Sequence, residues 1–283
     1  MNRRPFLPLF VTPALLVAGA IVVAMAAIGQ YSVRAYLPGS LDVGGFTLAN
    51  FADLGRPLFV SAFIETVRIC CETALFTLLI GYPVAYALVR TRSVALKSFI
   101  LVTSVTPLFL GEVVRTYSWV VVLGSTGFIN ALLMKFGIVE RPMQFMFTEF
   151  GVIVALVHVT LPVMVIMLAA ALSHIDRDYE KAAQSLGAGP IRAFLTVTLP
   201  LSMPGIVAGF TTAFAWTFSA FATPQVIGGG KVSVVSTLVY QLGLSSFNFP
   251  FAATLSLAGM VLALAVLWIL RRLTRPLEAL GAH

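Results

Sequence analysis

Apolar residues in this chain occur in long runs rather than in the short alternations typical of a soluble protein. Several stretches with few or no charges exceed the roughly 20 residues that an α-helix needs to cross the hydrocarbon core of a bilayer. Six of them are predicted to be transmembrane helices: 6–28, 63–89, 99–123, 150–172, 204–223 and 251–270. The pattern therefore predicts an all-α membrane protein with six spans.

Composition supports this class and excludes a soluble globular protein. Hydrophobic residues make up 59% of the 283-residue chain and charged residues only 10%, against about 45–50% and about 25% in soluble domains. The first apolar run follows Arg3 and Arg4 as a secretory signal would. Because it is longer than the core of a usual signal peptide, we expect a retained spanning helix.

The net charge of +7 is explained by membrane topology rather than by nucleic-acid binding. With the N-terminus inside, eleven of the 18 Lys and Arg residues lie on the inner side and seven lie outside or at outer span ends. Cytoplasmic connections carry the excess of cationic residues in membrane proteins. Both termini are therefore predicted to be cytoplasmic.

The connection 173–200 is the only sizeable loop on the predicted inner side, and its sequence indicates a helix–turn–helix. Asp176 or Asp178 can cap a short helix, and Gly187 can end it. The helix presents a small and apolar stripe, formed by Ala182, Ala183 and Leu186. From periodicity alone two interpretations are open: a surface that fits a groove on a partner, or a connection lying on the membrane.

The same loop resembles the coupling loop of permease subunits of ABC importers. Its signature in that family is Glu-Ala-Ala, a Gly four residues later, and Ile-x-Leu-Pro at the end. Here Lys181 stands where the acid is expected, and Glu180 precedes it by one position. The resemblance implies that the loop couples transport to an ATPase, with the candidate residues Glu180, Lys181, Ala182, Ala183, Leu186 and Gly187.

Further segments resemble the spermidine/putrescine branch of these permeases. They are 114–119, 127–133, 203–206 and 248–252. The branch implies a polyamine as cargo, although it also includes carriers of opines, ferric iron and aminophosphonates. The resemblance further implies a type I importer architecture and a multi-pass location in the bacterial inner membrane.

Partners and domains follow from the same resemblance. It implies a second permease subunit in a heterodimer, two cytoplasmic ATP-binding subunits, a periplasmic binding protein, surrounding lipid, and no nucleic acid. ATP and Mg would be used by the ATPase, so this subunit is expected to bind no cofactor and to catalyse no reaction. The expected division is a first helix with an outer loop (1–62), a permease core (63–272) and a cytoplasmic tail (273–283).

Three charged residues lie on one face of the second predicted span. Glu65, Arg68 and Glu72 are spaced at i, i+3 and i+7, and Arg68 can pair with Glu72. Charges inside a membrane usually face a protein interior or an aqueous pathway. Two interpretations are open: a polar stripe near the translocation route, or an ion pair that only packs helices.

Aromatic and acidic residues on later spans are the other candidates for contact with cargo. A carboxylate beside aromatic rings accepts ammonium groups, which suits Glu112 near Tyr117 and Trp119. Alternatively these rings belong to the interfacial belt and Glu112 balances Arg115. The full set of pathway candidates is Glu72, Glu112, Tyr117, Trp119, Trp216 and Phe221.

The remaining polar features point to no catalytic or metal chemistry. His158 is predicted to donate an interhelical hydrogen bond, and the three histidines have no metal-site spacing. Two other function classes compete with the ABC permease. One is an ion-coupled secondary transporter that uses Glu65, Glu72 and Glu112 as ion sites, and the other is a membrane scaffold without transport activity.

Overall fold

The computed structural model describes residues 7–40 and 42–280. Arg3, Arg4 and the start of the first predicted span lie outside this range, as does the end of the predicted tail. The secondary structure is mostly helical, which confirms the predicted all-α class. The described strands form one small antiparallel hairpin, β1 (Arg34–Tyr36) and β2 (Val43–Phe46).

The helices in the N-terminal half are α1 (Leu7–Ser32), α2 (Ala49–Asp53), α3 (Pro57–Arg90), α4 (Val94–Val105), α5 (Glu112–Leu123) and α6 (Phe128–Lys135). Those in the C-terminal half are α7 (Glu149–Ser173), α8 (Arg177–Ser185), α9 (Pro190–Ala193), α10 (Leu199–Leu201), α11 (Met203–Ser219), α12 (Ala222–Gly228), α13 (Val235–Tyr240) and α14 (Phe249–Leu280). Short π-helical segments cover Phe194–Thr198 and Gln241–Ser245.

Four helical segments among the described residues are long and apolar enough to cross a membrane. They are Val11–Ser32, Glu112–Lys135, Glu149–Ser173 and Phe249–Thr274. The pair Pro190–Leu201 and Met203–Ser219, bent by 65°, adds a fifth if it forms one span. The second predicted span lies within the 34 residues of α3. The count of six spans and the cytoplasmic position of the termini stay predictions.

The third predicted span is wrong as a continuous helix. α4 ends at Val105, a 3-10 turn covers Thr106–Phe109, and α5 begins only at Glu112. Pro107 lacks the N–H group that would continue the helical hydrogen bonds. The Arg115 guanidinium donates to the Pro107 carbonyl at 3.1 Å. This side chain therefore satisfies a carbonyl at the break.

The chain divides into two compact units, and the first comprises residues 1–61 and 238–261. Among the described residues of this unit, Asn50 fixes the connection after α1. Its side-chain amide donates to the Ser32 and Arg34 carbonyls at 2.9 and 2.8 Å. The Thr254 hydroxyl also donates to the Ser32 carbonyl, at 3.0 Å. The predicted outer loop is thus an ordered hairpin followed by the short helix α2.

The second unit comprises residues 62–237 and 262–283, and α7 is its central described helix. Thirteen of the 25 residues of α7 are buried, on all sides of the helix. Such all-round burial explains why its apolar residues show no amphipathic stripe. The fourth predicted span, 150–172, is confirmed by α7.

Close approach of helices to α7 depends on glycine. A Cβ at Gly209 of α11 would lie 2.6 Å from the Met164 sulfur, and a Cβ at Gly81 of α3 would lie 2.9 Å from Met164 Cγ. Small residues allow this spacing between membrane helices. The Thr77 and Thr160 hydroxyls share a buried hydrogen bond of 2.8 Å that joins α3 to α7.

The connection between α5 and α7 contains a fully buried polar side chain, that of Asn130. Its amide donates to the Gly124 and Met143 carbonyls at 3.0 and 2.9 Å, and its carbonyl accepts from the Met143 amide at 2.8 Å. Burial is tolerated because these hydrogen bonds replace water.

Gly205 provides a direct test of the α7–α11 packing. A Cβ at this position would overlap Ala171 Cβ, and overpacking of a dense interior costs about 1–3 kcal/mol. We expect Gly205→Ala to lower the Tm of the purified protein in detergent, and Ala171→Gly to restore it. The control is Gly19→Ala in α1, where a Cβ meets no atom within 4 Å. Equal Tm values for the two glycine variants would contradict the proposed packing.

Candidate functional sites

The inner loop folds into the helix–turn–helix that its sequence predicts. The Asp176 carboxylate accepts a hydrogen bond from the Asp178 amide at 3.0 Å, so Asp176 is the N-cap of α8. Gly187 follows the helix with φ of +92°, a conformation that costs other L-residues about 1–2 kcal/mol. Pro190 then starts α9. The sequence left both Asp176 and Asp178 open as the cap, and the structure selects Asp176. The predicted end of the helix at Gly187 is confirmed.

The loop exposes a surface that combines apolar and charged side chains. Leu186 and Ile191 are 90% and 75% exposed, and Tyr179 is 58% exposed. Lys181 pairs with Asp178 at 2.7 Å, and both side chains are at least 70% exposed. Among the coupling candidates, Ala182 and Gly187 are also exposed and Ala183 is half-buried. Such a surface suits a partner that covers its apolar residues.

Glu180 lies on the opposite side of α8 from this surface. Its carboxylate pairs with the Arg90 guanidinium at 2.9 Å, and only 16% of its side chain is exposed. It also accepts from the Tyr86 hydroxyl at 3.4 Å and from the Thr198 hydroxyl. Successive helical residues are rotated by about 100°, which separates Glu180 from Lys181. The structure thus places Glu180 against its own chain, which differs from the expected contact with a partner.

The charged stripe on α3 is extended by a residue from α7. Arg68 pairs with Glu72 at 2.8 Å, which confirms the predicted i, i+4 contact, and with Glu149 at 2.9 Å. Arg68 itself is 57% exposed. Glu65 lies within Coulombic range of Glu149 and Arg68. Glu149 was not a sequence candidate because it is 81 positions from Arg68 and only the fold brings the two side chains together.

Glu112 and Arg115 do not form the ion pair that their i, i+3 spacing suggested. Arg115 is 8% exposed and donates to the Pro107 carbonyl, whereas Glu112 is exposed. Tyr117 is 58% exposed on the same helix. The Arg115 side chain is therefore directed to the break at Pro107 and not to Glu112.

Trp119 and His158 form an interhelical contact between α5 and α7. The indole N–H of Trp119 donates to His158 Nδ1 at 3.2 Å, and the rings meet edge to face. The predicted interhelical hydrogen bond of His158 is confirmed, but the prediction that the imidazole donates it is wrong, because the indole N–H of Trp119 is the donor. One edge of the Trp119 ring is consequently in contact with α7.

The last two pathway candidates lie on α11 and directly after it. Trp216 is 44% exposed, and Phe221 is half-buried in the connection to α12. Near this connection, the Thr116 and Thr223 hydroxyls form a buried 3.3 Å hydrogen bond between α5 and α12. Within residues 7–40 and 42–280, no three His, Cys, Asp or Glu side chains form a group suited to a metal ion.

Comparison with known proteins gives a family for this arrangement. Residues 77–278 match the family described as the binding-protein-dependent transport system inner membrane component. The chain is 30% identical to the spermidine/putrescine transport system permease protein PotB of Haemophilus influenzae, over 82% of this chain and 81% of that protein. It is 31% identical to the molybdenum transport system permease protein ModB of Mycobacterium bovis, over 76% and 80% respectively.

A solved structure agrees in fold. A chain of a bacterial alginate ABC transporter, crystallised in complex with an alginate pentasaccharide-bound periplasmic protein, superposes with a TM-score of 0.75. Identity is 19%, and the match covers 95% of each chain. At this identity the likeness concerns the fold alone. Family match, relatives and fold together show that this chain belongs to the binding-protein-dependent inner membrane components, the permease subunits of ABC importers.

Proposed function

We propose that this permease forms part of the translocation pathway for a polyamine such as putrescine or spermidine. The observation that carries the proposal is the 30% identity to the Haemophilus PotB protein over 82% of the chain. The ModB relative has a similar identity, which makes molybdenum the second cargo candidate. Opines, ferric iron and aminophosphonates remain within the branch.

The charge distribution supports a cationic cargo. Glu112 is exposed and, among the described residues, has no cation within ion-pair distance. Around Arg68, the carboxylates of Glu65, Glu72 and Glu149 outnumber the single guanidinium. An ammonium group gains both from such carboxylates and from aromatic faces such as that of Tyr117.

The proposed transport cycle is alternating access driven by partner subunits. In it a binding protein delivers the cargo, a second permease completes the pathway, and two ATPase subunits use ATP and Mg. The exposed residues Tyr179, Leu186 and Ile191 support docking of an ATPase on the inner loop. Closure of the ATPases would shift the permease between its two states, which requires that both states are accessible.

The first experiment is uptake of labelled putrescine and spermidine by cells that lack this gene, with and without its restoration. We expect uptake to return with the gene and to be competed by unlabelled polyamine but not by molybdate. Return of molybdenum uptake instead would establish the second cargo and contradict the polyamine proposal. ATP dependence in the presence of a protonophore separates the importer from an ion-coupled transporter.

Glu112→Gln tests whether the exposed carboxylate of α5 meets the cargo. Loss of one solvent-accessible charge contact costs up to about 1 kcal/mol, so we expect about a fivefold rise in KM for spermidine uptake. Glu140→Gln, an exposed acid in the α6–α7 connection, is the matched control and should keep the original KM. Unchanged kinetics for Glu112→Gln would show that this carboxylate does not contact the cargo.

Gly187→Val tests coupling through the inner loop. Valine at φ of +92° strains the turn by about 1–2 kcal/mol. We therefore expect ATP hydrolysis stimulated by the binding protein to continue while uptake falls. Gly189→Ala is the control, because Gly189 has φ of −68° and open space around it. Wild-type uptake by Gly187→Val would show that this turn has no role in coupling.

A further inference from the structure

One ion pair at the start of the inner loop is shielded from water. The Arg90 guanidinium, on the last residue of α3, lies 2.9 Å from the Glu180 carboxylate on α8. Their side chains are only 12% and 16% exposed, whereas those of the Lys181–Asp178 pair on the same helix are 70% and 75% exposed. Removing one partner of a buried pair leaves an uncompensated charge, so the pair resists separation.

A second arginine links the same two helices, but its side chain comes from α8 and the groups that it contacts belong to α3. Arg177, the first residue of α8, donates from one guanidinium nitrogen to the Val89 and Arg90 carbonyls at 3.1 and 2.6 Å. The last carbonyls of a helix have no partner within the helix, and a cation is favourable at that end. Arg90 in turn donates to the Ile175 carbonyl at 3.2 Å. The end of α3 is therefore hydrogen-bonded both to α8 and to the connection that precedes α8.

Glu180 also connects to the segment that leads into α11. Thr198, fully buried in the π-helical turn, donates its hydroxyl to the Glu180 carboxylate. Four residues further along, Ser202 shares a 2.8 Å hydrogen bond with Tyr82 of α3. The Phe194 ring packs edge to face against Tyr86 at 5.4 Å. The carboxylate of Glu180 thus joins α8 to α3 and to the segment that leads into α11.

We propose that Arg90 and Glu180 are positioning residues that make α8, the end of α3 and the start of α11 move as one body during transport. The exposed face of α8 takes up the movement of the ATPase, and the buried pair on its other face passes that movement to two membrane helices. Without the pair, α8 would still be held at its first residue by Arg177, but its later turns could rotate relative to α3. This role does not depend on which cargo the importer carries.

The test uses the importer assembled with its permease, ATPase and binding-protein partners in vesicles. The variants are Glu180→Gln, Arg90→Lys and the exchange Arg90→Glu with Glu180→Arg. Asp53→Asn, which breaks the exposed Arg56–Asp53 pair at the end of α2, outside the inner loop, is the control. We expect uptake per ATP hydrolysed to fall about tenfold in Glu180→Gln, as for loss of a typical coupling between sites. Asp53→Asn should retain the wild-type ratio.

A measurement of the distance between α8 and α3 tests the same proposal in the absence of cargo. Spin labels at Gln184 of α8 and Leu79 of α3, both exposed, are introduced after Cys70 and Cys71 are replaced by Ser. We expect one narrow distance distribution that is the same without nucleotide and in the ATP-trapped state. In Glu180→Gln the distribution should broaden and differ between the two states.

The outcomes separate this proposal from that of the cargo. If wild-type vesicles import no polyamine, the cargo proposal fails while the label distances still test the pair. If Glu180→Gln does not assemble, Arg90→Lys carries the test, because lysine keeps the charge and loses the planar hydrogen-bonding geometry. An assembled variant with wild-type uptake per ATP and an unchanged distance distribution would overturn the positioning role. So would an assembled exchange variant that recovers neither readout.

Discussion

The constraint on which this structure depends is that a bilayer gives helices no gain from burying hydrocarbon. Association must come from close packing and from hydrogen bonds between helices. α7 meets both requirements: glycines of α3 and α11 lie against Met164, and Thr160 bonds to Thr77. The central position of α7 follows from these contacts rather than from any excess of apolar residues, since every predicted span is apolar.

Polar groups then determine where the helices can break and how their ends are fixed. Arg115 supplies a donor to the carbonyl of Pro107 between α4 and α5. Arg177 does the same at the end of α3. In both places an arginine reaches backbone oxygens that a continuous helix would have satisfied itself. These two arginines therefore have structural roles, whereas Glu112 is exposed and belongs to none of the ion pairs among the described residues.

Local features of the fold and of the inner loop follow from sequence, and contacts between distant residues do not. The positions of Asp176 or Asp178 and of Gly187 predicted the helix–turn–helix because caps and turns depend on neighbouring residues. The Arg68–Glu72 pair was predictable for the same reason. By contrast, Glu149 and Arg90 acquire their roles from residues about 80 to 90 positions away. The break at Pro107 was missed because an apolar run indicates length in the membrane but not continuity of the helix.

The two ion pairs of α8 place different demands on the evolution of the sequence. Asp178 and Lys181 are exposed, so water compensates either charge when the other is replaced, and these positions can change separately. Arg90 and Glu180 are shielded from water and joined across 90 residues. A lone substitution at either position leaves a charge that little solvent reaches. Among descendants of this chain, positions 90 and 180 are therefore constrained to be kept or to change together.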